Sequence, residues 1–134
     1  MIFVDTGAWV SLSIPGDRNA AAARRVQGEI ARGLHGAPVT TSFVLDESAT
    51  LIRMETDAAA ASRFLRAVLE GRSVTVVWID EGHFRSALKL LEQYEDKRWS
   101  YTDCTSFVVM QELGIAAAFA FDHKFEEAGF ALVA

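Results

Sequence analysis

Short apolar runs alternate along the chain with longer stretches in which apolar residues recur every three or four positions. The short runs are apolar throughout, so they predict strands buried on both faces, which is typical of a parallel sheet. The longer stretches have the periodicity of helices. The predicted strands are Met1–Val4, Pro38–Thr41, Val74–Ile79, Ala116–Phe121 and, at an edge, Phe130–Val133.

Capping residues set the ends of the predicted helices. Trp9–Leu12 predicts one helical turn, which the Pro15-Gly16 pair ends. The longer helices are predicted from Asp17 to Arg32, Ser42 to Met54, Thr56 to Leu69, Asp80 to about Tyr94 and Ser100 to Leu113. The stripes predicted to face inward are Phe64, Leu65, Val68 and Leu69 in one helix and Phe84, Ala87, Leu88 and Leu91 in the next. This alternation predicts a single α/β domain over residues 1–134, with a mostly parallel central sheet flanked by helices.

Composition and charge narrow the function classes. The formal net charge is -5, so bulk charge does not attract a polyanion, and a nucleic-acid role needs bound metal or local basic patches. Cys104 is the only cysteine, which excludes an intramolecular disulfide and favours a reducing compartment. The first apolar run is too short for a signal peptide or a membrane span. We therefore expect a soluble, cytoplasmic protein with no membrane partner.

Two predicted strands end on an acid, the first at Asp5 and the fourth at Asp122. If these strands are parallel, both carboxylates lie at the same rim of the sheet, where ligands bind in open α/β folds. Taken alone, either residue is better explained as a turn residue or a helix cap than as a functional acid. We predict the same cap or first-turn role for three other acids, Asp17, Asp57 and Asp80.

Glu47 is the acid that the helical pattern directs inward. Its neighbours three and four positions away are mostly apolar, whereas Asp46 lies on a more polar face. A buried carboxylate needs a cation or a proton. Metal binding and an ion pair with Arg53 are both compatible with this position.

Asp103 belongs to a pattern that is typical of a capping box. Ser100 stands at the predicted cap and Asp103 three positions later, just before an apolar run. Capping explains this acid well, but a first-turn Asp also projects from a helix N-terminus toward the rim of the sheet. Both roles are open.

Four acids at one rim would repel each other strongly unless protons or cations were bound among them. Oxygen ligands without histidine or cysteine favour Mg²⁺ or Mn²⁺ over Zn²⁺. Because Mg²⁺ engages phosphates and its bound water is a better nucleophile, phosphodiester hydrolysis is the natural chemistry. The pattern of acids therefore favours a metal-dependent phosphodiesterase.

Four blocks of the sequence resemble those of the PIN-domain family, in the family's order and over essentially the whole chain. The third block, 96–107, is the most specific of them. The blocks are Ile2-Phe3-Val4-Asp5-Thr6-Gly7-Ala8, Thr40-Thr41-Ser42-Phe43-Val44-Leu45-Asp46-Glu47, Asp96-Lys97-Arg98-Trp99-Ser100-Tyr101-Thr102-Asp103-Cys104-Thr105-Ser106-Phe107 and Ala118-Phe119-Ala120-Phe121-Asp122-His123-Lys124-Phe125.

This resemblance implies a PIN-like three-layer fold and an endoribonuclease that depends on Mg²⁺, with Mn²⁺ as a substitute. It implies that Asp5, Glu47, Asp103 and Asp122 are the catalytic and metal-binding acids, and that the Thr6 hydroxyl lies near the metal. Short members of this kind resemble the VapC toxins of toxin–antitoxin pairs. The expected partners are therefore an RNA substrate, a small cognate antitoxin and a second copy of the chain.

Three cations next to the acidic blocks, Lys97, Arg98 and Lys124, are the best candidates for contacts with phosphate. The tryptophans beside the blocks, Trp9 and Trp99, are better explained by core packing than by base stacking. No role is predicted for Asp96 or His123.

Three rival interpretations stay open on the sequence. A hydrolase with an aspartyl nucleophile at Asp5 would need a second Asp at position 7, which is Gly7. A receiver-like signalling domain would use Asp80 as its phosphoacceptor, but no acid adjoins Asp5. In a non-enzymatic α/β binding module the acids would serve only as caps.

Overall fold

The computed structural model describes residues 1–134 and contains a five-stranded sheet in which every neighbouring pair of strands is parallel. The spatial order is β3-β2-β1-β4-β5, so the last strand lies at an edge as predicted. The strands are β1 Ile2–Val4, β2 Pro38–Thr41, β3 Thr75–Val77, β4 Ala117–Phe119 and β5 Ala131–Val133. The prediction of a mostly parallel α/β sheet is confirmed.

Seven helices connect and flank these strands. They are α1 Thr6–Ser13, α2 Ala20–Ala31, α3 Ser42–Glu55, α4 Ala58–Glu70, α5 Glu81–Gln93, α6 Tyr101–Leu113 and α7 Lys124–Glu127. The first helix is longer than the single turn predicted, and α7 has no counterpart in the prediction. No helix has the length and apolar character that crossing a membrane requires.

The order in which strands are added to the sheet reverses at β1, and this reversal positions the rim that carries the acids. From β1 the chain moves outward through β2 to β3, then crosses to the other side for β4 and β5. In open α/β sheets such a switch point creates a crevice beyond the carboxyl ends of the two central strands. The residues that follow β1 and β4 therefore border the same crevice.

Several helices are capped one or two residues away from the predicted cap. The α2 helix follows Asn19 rather than Asp17, whose carboxylate instead accepts a hydrogen bond from the Ser11 hydroxyl. The Thr41 side chain caps α3, because its hydroxyl accepts the Val44 N–H at 3.1 Å. Ser42, the predicted cap, accepts the Ile79 N–H at 2.9 Å and so ties α3 to the segment after β3.

The α4 cap is Asp57 rather than Thr56. The Asp57 carboxylate accepts the Ala60 N–H at 2.8 Å, while the Thr56 hydroxyl donates to the Ile52 carbonyl at the end of α3. Asp80 does cap α5, in a capping box completed by His83. The cap roles predicted for Asp57 and Asp80 are confirmed, and the one for Asp17 is wrong.

The sheet separates the main packed regions of the core. On one face, Phe107 and Phe125 pack edge to face with ring centroids 5.2 Å apart, and Trp99 is buried beside them. On the other face, Ile2, Val4 and Val26 form a smaller cluster under α1 and α2. A third cluster fills the space between α3 and α4.

The inward stripe predicted for α5 is wrong at three of its four positions. Ala87 is fully buried, but Phe84, Leu88 and Leu91 are 49%, 46% and 40% exposed. The α5 helix packs against α6, and the Phe84 ring lies against Phe43 of α3 and Tyr101 of α6 while half of it stays exposed. Leu69 of α4 is likewise 49% exposed, because the helix turns Ala61, Phe64 and Val68 toward the core instead.

Candidate active site

Asp5 stands between β1 and α1 at the switch point of the sheet. It is only 8% exposed, and at the N-cap position its side chain makes no capping hydrogen bond. Its backbone N–H donates to the Phe119 carbonyl of β4 at 3.0 Å, which ties this position to the neighbouring strand. The cap interpretation therefore does not account for this carboxylate, which is buried with no cation paired to it.

Glu47 faces inward from α3, as the helical pattern predicted. It is half-buried, whereas Asp46 is exposed. Arg53 forms no ion pair with it and lines a separate groove between α3 and α4. The alternative of a Glu47–Arg53 pair is therefore not what the structure contains.

Asp103 both caps α6 and borders the crevice. Its Oδ2 accepts the Ser100 N–H at 2.8 Å, while its own N–H donates to Ser100 Oγ at 3.0 Å, so the predicted capping box is confirmed. The same Oδ2 lies 3.2 Å from Lys124 Nζ. Because these contacts use Oδ2, the second oxygen keeps its capacity as a ligand.

Asp122 follows β4 in a tight turn that leads into α7. Its Oδ1 accepts the Lys124 N–H at 3.0 Å, and its Oδ2 lies 3.3 Å from Lys124 Nζ. The Asp122 side chain is 48% exposed, so this acid lies where the site opens to solvent.

One cavity of about 430 Å³ brings the four predicted acids together, with Thr6 and Lys124. We refer to it as the acidic cavity. Four further lining residues had no predicted role in the site. They are Gly7, Ser100, Phe121 and His123, each within three positions of a predicted acid. Adjacency in the sequence was the only signal that could have identified them.

The charge balance of the acidic cavity falls most heavily on Asp5. Burial raises the pKa of Asp5 to about 7, and the charges of Asp103 and Glu47 act in the same direction. The nearby backbone N–H groups of Thr6 and Gly7 act in the opposite direction on this pKa and offset only part of the rise. At neutral pH this carboxyl is close to half protonated, and a nearby cation would ionise it.

Two basic groups border the same acids. Burial alone would lower the pKa of Lys124, but the carboxylates of Asp103 and Asp122 outweigh it and raise that pKa. The hydrogen bond to Glu126 raises the pKa of His123, whose Nδ1 lies 2.7 Å from that carboxylate. Among the residues that line the cavity, Lys124 is the only lysine or arginine.

The donor chemistry of the acidic cavity fits a hard divalent cation. The Thr6 hydroxyl oxygen is buried without a hydrogen-bond partner, so an oxygen ligand or an ordered water would satisfy it. The one histidine that lines the cavity, His123, is engaged through Nδ1 by Glu126, and no cysteine lines it. In this conformation no three acidic, histidine or cysteine side chains are arranged to hold one ion, and Asp103 and Asp122 are engaged by Lys124 instead.

The remaining candidates lie outside this cavity. Lys97 is 3.9 Å from Glu127 and 3.8 Å from Asp96, and Arg98 is exposed. Asp80 caps α5 after the edge strand β3. It is therefore not paired with Asp5 in the way that the acids of a receiver domain would be.

Trp9 and Trp99 are packing residues, as expected. Trp9 packs against Phe64 with ring centroids 5.5 Å apart and planes tilted by 58°, and Trp99 is buried against Tyr94 and Phe107.

Comparison with known proteins gives a consistent set of relatives. A family model described as PIN domain matches residues 2–131. The chain is 34% identical over 136 residues to the 23S rRNA-specific endonuclease VapC20 of Mycobacterium tuberculosis, which covers 97% of this chain and 95% of the relative. It is 30% identical over 94 residues to a VapC ribonuclease of Archaeoglobus fulgidus, 69% of this chain and 58% of that one.

Solved structures agree with these sequence relatives. The crystal structure of Mycobacterium tuberculosis VapC20, described as a Sarcin-Ricin loop cleaving toxin, superposes with a TM-score of 0.88 at 31% identity. The superposition covers 98% of this chain and 97% of that chain. The likeness therefore extends over the whole five-stranded fold.

Proposed function

The chain belongs to the PIN-domain family, and we propose that it is an endoribonuclease that hydrolyses RNA phosphodiester bonds with a bound divalent metal ion. The observation that carries this proposal is the acidic cavity. Four separate segments of the chain each contribute one carboxylate to it, and Asp5, which like Asp103 is only 8% exposed, has no cation of its own. Structural hydrogen bonds to backbone N–H groups account for Asp103 and Asp122 in part, but not for Asp5 or Glu47.

The ligand set that we propose is Asp5, Glu47, Asp103 and Asp122, with Mg²⁺ or Mn²⁺ as the ion. All-oxygen donors favour these metals. An ion bound there would supply charge neutralisation at the phosphate and a more acidic water.

The chain's own residues perform the other tasks of the reaction. The Thr6 hydroxyl is the buried donor available to orient a water beside Asp5. Lys124 and His123 border the open side of the cavity, beside Asp122, where a phosphate enters. Lys97 and Arg98 lie away from the cavity, so we propose them only as contacts to more distant phosphates.

The substrate class that we propose is structured RNA. The Mycobacterium tuberculosis relative is named a 23S rRNA-specific endonuclease, and its crystal structure is described as that of a Sarcin-Ricin loop cleaving toxin. Near full-length similarity to that protein supports a ribosomal RNA loop as the first substrate to test.

We further propose that the chain is the toxin of a toxin–antitoxin pair and forms a homodimer. The α5 helix presents Phe84, Leu88 and Leu91 at successive turns, and each remains 40–49% exposed although Phe84 also packs on Tyr101. A second copy of the chain would cover this face. A separate groove of about 550 Å³ between α3 and α4, lined by Ala49, Leu65 and Leu69 with two arginines, fits an amphipathic antitoxin segment.

The test is cleavage of a Sarcin-Ricin loop RNA by purified protein, with Mn²⁺, with Mg²⁺ and with EDTA. We expect cleavage only with metal, leaving a 5′-phosphate and a 3′-hydroxyl, because water rather than the 2′-hydroxyl attacks. Asp5→Asn should abolish cleavage, and Asp46→Asn, on the exposed face of α3, should retain it. Cleavage that survives EDTA, or that leaves a 2′,3′-cyclic phosphate, would defeat the proposal.

A further inference from the structure

A lysine ammonium lies among the carboxylates of the acidic cavity. Lys124 Nζ is 3.2 Å from Asp103 Oδ2 and 3.3 Å from Asp122 Oδ2. The Lys124 side chain is 30% exposed and that of Asp103 only 11%, so these charges are partly shielded from water. Charge-assisted contacts of this kind are stronger than those between fully exposed side chains.

The local structure holds the ammonium in this place. The Lys124 N–H donates to Asp122 Oδ1, which closes a turn and fixes the lysine beside the acid it contacts. The next residue, Phe125, is fully buried in the core and anchors α7. The position of Lys124 is therefore set by its own turn and by the packing of the following residue.

We propose that Lys124 is an internal counter-ion that competes with the divalent metal for Asp103 and Asp122, so that metal binding requires its ammonium to leave. This inference rests on the proposed function. A Mg²⁺ ion binds carboxylate oxygens at about 2.1 Å. The Oδ2 atoms that contact the ammonium cannot at the same time hold a cation at that distance, because the two positive charges would repel each other. A cation on the remaining oxygen of Asp103 would still face the ammonium across the same carboxylate.

The lysine side chain is suited to this exchange. Its ammonium is a compact, strongly hydrated charge on a flexible stem, so it leaves a carboxylate more readily than a bidentate guanidinium does. The half-exposed Asp122 side chain provides the route to solvent.

The experiment measures Mn²⁺ binding in the absence of RNA, by titration calorimetry, for the wild-type protein and for Lys124→Met. We expect the variant to bind Mn²⁺ about tenfold more tightly, since the competing charge is gone. Without metal, its melting temperature should be lower than that of the wild type, because the carboxylates lose their cation. A purely structural role for Lys124 would not tighten metal binding.

Lys89→Met is the matched control, because it removes the same charge from the exposed surface of α5. Its Mn²⁺ affinity should equal that of the wild type. Lys124→Gln repeats the test with a polar neutral side chain, in case the methionine variant does not fold. If wild type and Lys124 variants bind Mn²⁺ equally well, the inference fails and the proposed metal site stands. If none of the proteins binds Mn²⁺, both fail.

Discussion

Asp5 is the residue at which burial and the proposed chemistry have opposite effects, because burial favours a neutral carboxyl whereas a metal ligand must be ionised. Its carboxyl is buried among other acids, and its pKa is raised from an ordinary 3.8 to about 7. An acid with a raised pKa stabilises the folded state at low pH, and this contribution is lost as the pH rises toward and through the folded value. The metal-free protein is therefore expected to lose stability between pH 5 and pH 8 on account of this one group.

Asp5→Asn should remove that dependence on pH. In EDTA, the free energy of unfolding of the variant minus that of the wild type should rise by about 2–3 kcal/mol between pH 5 and pH 8. Urea denaturation at several pH values measures this difference. Asp46→Asn, an exposed neighbour of Glu47, should show no such rise. If the difference in the free energy of unfolding stays constant with pH, the surroundings of Asp5 do not raise its pKa.

Asp103 allows its structural and its chemical roles to be separated by two substitutions. In Asp103→Asn the remaining side-chain oxygen still accepts the Ser100 N–H, whereas Asp103→Ala removes that acceptor. We expect the alanine variant to be about 1 kcal/mol less stable than the asparagine variant in EDTA. Both variants should lose RNA cleavage and most Mn²⁺ affinity. If Asp103→Asn cleaves RNA like the wild type, this acid is a cap and nothing more.

Individual side chains were predictable where periodicity fixed their direction. Helical spacing predicted that Glu47 faces inward and Asp46 outward, and in the structure Glu47 is half-buried and Asp46 is exposed. The contact of Lys124 with two acids was not predictable, because it depends on a turn that places a side chain over another segment. Sequence proximity to an acidic block favoured Lys97 and Arg98 equally, yet neither reaches the cavity.

At the scale of elements, helix caps were predictable in kind but not always in place. Where two or three polar residues stand together, as Thr56 and Asp57 do, either could cap the helix by type alone. The backbone conformation decides, and it turns the Asp57 carboxylate toward the Ala60 N–H while Thr56 ends the preceding helix. The α1 and α7 helices were missed or shortened because their lengths, eight and four residues, carry little periodicity.

Asp57→Ala should therefore destabilise the protein by about 1 kcal/mol, because the substitution leaves the Ala60 N–H without its acceptor. Thermal or urea unfolding of the purified variant measures this loss. Thr56→Ala, which removes a hydroxyl bonded to the Ile52 carbonyl, is the adjacent control and should cost less. A larger loss for Thr56→Ala than for Asp57→Ala would contradict the assignment of the α4 cap.

At the scale of the whole molecule, the convergence of the acids depends on the order of the strands. Apolar runs without alternation predicted a parallel sheet, but no pattern within one run specifies which strand is its neighbour. The order β3-β2-β1-β4-β5 makes β1 and β4 adjacent and so joins Asp5 with Asp122. The resemblance of four blocks to one family supplied this arrangement in advance, whereas periodicity alone could not.

The exposed face of α5 leads to the last prediction, which concerns assembly. Phe84, Leu88 and Leu91 were expected inside because their spacing is that of a buried stripe, and the structure leaves them at the surface. A contiguous apolar face on a soluble chain is normally covered by a partner. We expect wild-type protein to be dimeric in light scattering at tens of micromolar, and Leu88→Lys to be monomeric, because the lysine would place an unpaired charge in the contact. Leu34→Lys makes the same change at a side chain that is 63% exposed after α2, away from this face, and should remain dimeric. A monomeric wild type, or a dimer that Leu88→Lys leaves intact, would mean that α5 does not form the interface between copies.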